Sequence, residues 1–72
     1  SAQSGQYIGQ CQMQLGSAYF ANAQIYMQQN NLRQAKENFR KTIEFLTQAP
    51  DLPQKDEILK VAKEQMQRLK HS

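Results

Sequence analysis

Eight residues could take part in nucleophilic, acid–base or metal chemistry: Cys11, His71, Glu37, Glu44, Asp51, Asp56, Glu57 and Glu64. A cysteine nucleophile needs a base that raises its thiolate fraction, and the single histidine stands at the far end of the chain. Cys11 falls between Ile8 and Leu15 at helical spacing, which makes it small apolar filler, expected to be buried. One cysteine also excludes an intramolecular disulfide and a multi-cysteine zinc site, so no oxidising compartment is implied. His71 follows Lys70 with no second ligand at metal spacing and is expected in solvent. The six carboxylates all have Lys or Arg neighbours, and an acid and base couple needs environments that separate their pKa values. They read as solvated ion pairs, with Glu37 expected to meet Lys41 and Arg40 to meet Glu44. The expectation is a chain that is not an enzyme and holds no cofactor or metal.

The distribution of charge says more than its +3 total. All nine Lys or Arg and all six Asp or Glu lie from Arg33 onward, and the residues before it carry none. A free surface helix normally displays charge, so an uncharged Gln-rich segment points to contact with something else. Lys36, Arg40, Lys41, Lys55, Lys60, Lys63, Arg68 and Lys70 form a basic set, but Glu57 and Glu64 interrupt it and the aromatics are needed in the core. Nucleic-acid binding is therefore not the favoured reading. The longest apolar run falls far short of the ~20 residues that a membrane span needs, and the amino terminus lacks the order of a signal peptide. A cytoplasmic or nuclear setting is the expectation.

A 72-residue chain rich in Gln, Ala, Lys and Met, with one Val and two Thr, is expected to be all-α. Residues 1–6 read as a disordered tail, and 7–72 as one domain with helices over about 7–29, 32–48 and 52–70. The first helix shows two apolar stripes. One is Ile8, Cys11, Leu15, Ala18, Asn22 and Ile25; the other is Gly9, Met13, Gly16, Phe20, Ala23 and Met27. Two stripes predict a helix packed on both sides. Gly16 is expected to permit close helix approach rather than to break the helix. Asn30 and Asn31 form a turn, one suited to the left-handed end of a helix and the other to capping the next. Pro50 should push Ala49 out of helical geometry, and Asp51 is placed to cap a third helix with Pro53 in its first turn.

The order Tyr19, Asn22-Ala23, Tyr26, polar turn, Leu32, Ala35, Phe39 and Ile43 resembles one tetratricopeptide repeat. Asn22 and Thr42 stand where that family usually has Leu and Ala, and its closing Pro appears late, as Pro50. The resemblance implies a three-helix antiparallel array: one repeat-like hairpin packed by Tyr19, Ala23, Tyr26, Leu32, Ala35, Phe39 and Ile43, plus a carboxyl-terminal capping helix. It also implies adjoining repeats or self-association, because such units need neighbours. Repeats of this family bind peptides along their first helices, here Ser17, Phe20, Gln24, Met27 and Gln28. None of these is Lys or Asn, so no chaperone carboxyl-terminal tail is expected as a partner. The layout is also similar to the MIT domain, which would imply an adaptor for amphipathic helices of membrane-remodelling proteins.

The stripe Met13, Phe20 and Met27 fits either core or a partner groove. A first helix of ~36 Å beside a second of about 25 Å would also leave its first turns overhanging. Tyr7, Ile8, Cys11 and Met13 would then lack an intramolecular partner and could meet another copy or an adjoining repeat. The functional expectation is a protein-interaction or scaffold module with a protein or peptide partner.

Overall fold

Asn30 and Asn31 divide the first two helices in the way their side chains allow. Asn30 adopts φ 57°, donates its backbone N–H to Met27 O at 3.0 Å, and Asn31 N–H reaches Tyr26 O at 2.8 Å. That pair of bonds satisfies carbonyls that the helix end would leave open. The Asn31 side chain then accepts from Gln34 N–H at 3.4 Å and caps the next helix. In the computed structural model, which describes residues 2–71 and the side chains of residues 9–71, the elements are α1 (Ala2–Gln28), α2 (Leu32–Gln48) and α3 (Lys55–Leu69).

Contacts between α1 and α2 run in opposite directions along the chain. Gly9 meets Pro50 and Gly16 meets Leu46, Tyr19 stacks on Phe45, and Phe20 meets Phe39 edge-on. The pair is an antiparallel hairpin. A Cβ at Gly16 would stand 2.5 Å from Leu46 Cδ2, so the missing side chain is what lets the helices approach. Ala23 and Ala35 are fully buried at the same interface. Phe39, Leu46 and Thr42 are the largest fully buried side chains. Thr42 is buried because its hydroxyl donates to Asn38 O at 2.8 Å and needs no water.

α3 lies against α2 through Ala62, Met66 and Leu69, which join the cluster around Ala23, Ala35 and Phe39. Lys55, in its first turn, donates its ammonium to Ala49 O at 2.6 Å, just past the end of α2. α3 therefore starts where α2 stops and runs back along it. Ala49 is extended (φ −75°, ψ 153°), as a residue before proline must be.

Two boundaries differ from those expected. α1 begins at Ala2 rather than at Tyr7; Ala and Gln in residues 2–6 favour the helix and no proline interrupts them. α3 begins at Lys55 rather than Leu52. Asp51 does not cap it, because the chain first makes a turn over 52–55 in which Lys55 N–H reaches Leu52 O at 3.2 Å. Gln54 sits in that turn at φ 73°, ψ −10° and becomes the helix cap without a side-chain bond. Proline followed by a left-handed residue is the pattern of a type II turn, which competes with helix at the same positions.

Candidate functional site

The two stripes of α1 have opposite fates. Gly9, Gly16 and Ala23 are buried, and Met13, Phe20 and Met27 are half-buried against the rest of the fold. Cys11, Leu15, Ala18, Asn22 and Ile25 are all exposed. At 3.6 residues per turn the two sets lie about half a turn apart, so α1 packs on one side only. This corrects two expectations, that α1 is sandwiched and that Cys11 is buried filler; Cys11 is exposed. The reason is steric. The small residues Gly9, Gly16 and Ala23 recur every seven positions and allow close approach, whereas the stripe with Asn22 would have buried an amide beside apolar side chains.

The outward face is unusual in what it carries. Leu15 is 44% exposed and Ile25 50%, and they are the exposed large apolar residues among the described side chains. Gln10, Gln14, Ala21 and Gln28 beside them are exposed and uncharged. No helix of the structure is long and apolar enough to cross a membrane among the described residues.

Of the four residues expected to overhang, Cys11 and Met13 lie on opposite sides of α1. Gly9 already lies under Pro50, and Gln12 Nε2 donates to Gln48 Oε1 at 3.3 Å, so the end of α2 and the start of the linker meet α1 at Gly9 and Gln12. Met13 is half-buried on the packed side and Cys11 is exposed on the other. The side chains of Tyr7 and Ile8 lie outside the described residues.

The five groove residues also divide. Phe20 and Met27 pack on the core cluster, each partly buried. Phe20 and Gln24 line a shallow cleft of about 260 Å³ with Gln54, Glu57, Ile58 and Val61, between α1 and α3. Ser17 is half-buried and Gln28 exposed, and neither lines that cleft. Of the hairpin residues, Ala23, Ala35 and Phe39 form the buried cluster, and Tyr26, Leu32 and Ile43 pack against it. Tyr19 stands on the flank, stacked on Phe45 at 5.5 Å between ring centroids.

The charged side chains belong to α2, the linker, α3 and Lys70 just past its end. Arg40 pairs with Glu37 at 2.7 Å and with Glu44 at 3.4 Å. The expected Glu37–Lys41 pair is replaced, since Lys41 Nζ lies 5.2 Å above the Tyr19 ring. The hydrogen bond from Arg40 holds the Glu37 carboxyl below the usual carboxylate range, and Glu37 in turn raises Arg40. A second depression, of about 440 Å³, is lined by Arg33, Gln34, Lys36, Glu37, Arg40 and Met66. Its mixed charges do not make an anion cradle. Cys11 and His71 are both exposed and lie near opposite ends of the fold's three-helix order. The missing charge before Arg33 pointed to a contact surface on α1; which side of α1 faces outward was signalled only by Asn22 within the stripe. No family model, no curated protein and no solved structure matches this chain.

Proposed function

We propose that this chain is a non-catalytic protein-interaction module whose binding surface is α1. One observation carries the reading: the exposed side of α1 displays Leu15 and Ile25 among uncharged neighbours, while every Asp, Glu, Lys and Arg lies from Arg33 onward. A helix face that meets only water is normally charged, and an apolar, uncharged one suits a partner. The resemblance to a tetratricopeptide repeat, with α3 in the place of a following helix, fits the same class of function.

A second reading has its own support. The cleft between α1 and α3 is lined by Phe20, Ile58 and Val61 with the amides of Gln24 and Gln54 and the Glu57 carboxylate, a mix of apolar wall and polar groups that suits an extended or helical peptide. It uses two of the residues expected on a peptide groove.

Peptide display on the folded chain separates these readings. The α1 reading expects enriched peptides with apolar residues at helical spacing, bound with little dependence on salt and lost on Leu15→Glu. The cleft reading expects loss on Val61→Arg with Leu15→Glu harmless. Binding that falls steeply with salt and ignores both substitutions would overturn both and favour a nucleic-acid or other charged ligand.

A further inference from the structure

The exposed residues of α1 have a second regularity. Cys11, Leu15, Ala18, Asn22 and Ile25 are spaced by four, three, four and three. That is the spacing of the seam of a two-stranded coiled coil, in which alternate positions face a partner helix. The positions used for packing inside the chain, Gly9, Gly16 and Ala23 with Met13, Phe20 and Met27, fall on the other side of α1. A partner helix can therefore approach the seam without meeting α2 or α3. The α1 backbone continues to Ala2, and Ile8 holds the next seam position by spacing.

We propose that the occupant of this face is a second copy of the chain, with α1 lying parallel and in register against the α1 of its partner. This rests on the reading of α1 as a binding surface and names its partner. Charge favours a second copy. Each chain carries +3 in total, placed entirely outside α1. Pairing through α1 brings two uncharged faces together and leaves both sets of cations on the outer sides of the dimer. No like charges meet along the seam. Register follows from Asn22, the one amide in the seam: a parallel, in-register pair sets it opposite a second Asn22, where the two amides can bond to each other. An antiparallel pair of the same seams over the same span would set Asn22 against Cys11 or Ala18 and leave the amide unsatisfied. Ala18 allows close approach at the centre of the seam.

Size sets the strength. From Cys11 to Ile25 the seam is ~21 Å long on a helix about 10 Å wide, well below the roughly 800 Å² per partner of a standard interface. The dimer belongs to the weak class, dissociating in the micromolar range or above.

Sedimentation equilibrium of the 72-residue chain from about 10 µM to about 1 mM tests this. The mass should rise toward that of a dimer, and Leu15→Glu and Ile25→Glu should each weaken it by about tenfold or more. Both residues are exposed in the monomer, so unchanged circular dichroism checks that each variant folds. Asn22→Leu should raise affinity and let species larger than dimer appear, because the residue that fixes partner number has gone. A short bismaleimide should join Cys11 to Cys11 of the second copy, whereas an antiparallel pair would hold them several helical turns apart. A monomeric mass throughout for both wild type and Asn22→Leu would overturn the proposal. So would association that ignores Leu15→Glu, or a dimer that the bismaleimide fails to link. A monomer that still takes up a displayed peptide through Leu15 would sink self-pairing alone; a monomer that takes up none would sink the α1 reading as well.

Discussion

At the scale of residues, two positions decide more than their size suggests. Gly16 is costly inside a helix, yet a side chain there would collide with Leu46, a fully buried residue. Overpacking costs about 1–3 kcal/mol, more than the ~1 kcal/mol that Ala gains over Gly in helix propensity. Gly16→Ala should therefore lower the unfolding free energy by roughly 1 kcal/mol in urea titration; a gain would show that α1 and α2 do not approach this closely. Gln54 is the opposite case. It holds φ 73° in a turn position that glycine fills without strain. Gln54→Gly should raise stability by about 0.5–1 kcal/mol, read as a higher thermal midpoint.

At the scale of elements, the α2–α3 linker is tied at several points. Lys55 donates to Ala49 O, Leu52 N–H reaches Pro50 O at 2.8 Å, and Pro50 covers Gly9. The Lys55 ammonium sits where α2 leaves its carbonyls open, and a cation is favourable there. Lys55→Met keeps the aliphatic stem and removes the donor, so it should cost about 1 kcal/mol in chemical denaturation. An unchanged midpoint would mean that the linker holds its shape without this bond. The hairpin turn was legible in the sequence because two asparagines do two different jobs there. The start of α3 was not, because Asp51 and Pro53 satisfy a helix cap and a turn equally well, and only the path of the backbone chooses between them. The orientation of α1 was hidden for a related reason: both stripes contain Ala and an apolar side chain, so type alone does not separate packed from exposed. The heptad of Gly9, Gly16 and Ala23 carries the distinction, since only residues without bulk let Leu46 and Pro50 sit so close.

At the scale of the whole molecule, three helices of this length leave little interior. Among the described residues, the fully buried side chains beyond alanine are Phe39, Leu46 and Thr42, a small core for a domain of a size that is marginal alone. Covering the outward face of α1 would add stability by mass action as well as function. The molecule measures 45 × 17 × 15 Å, and α1, at ~40 Å, accounts for most of its length. Such a rod tumbles unevenly, turning quickly about its long axis and slowly end over end. A second copy laid alongside through α1 would thicken the rod without lengthening it. Pairing would thus slow rotation about the long axis most, and amide relaxation in solution would become more uniform as concentration rises, where end-to-end association would make it less so.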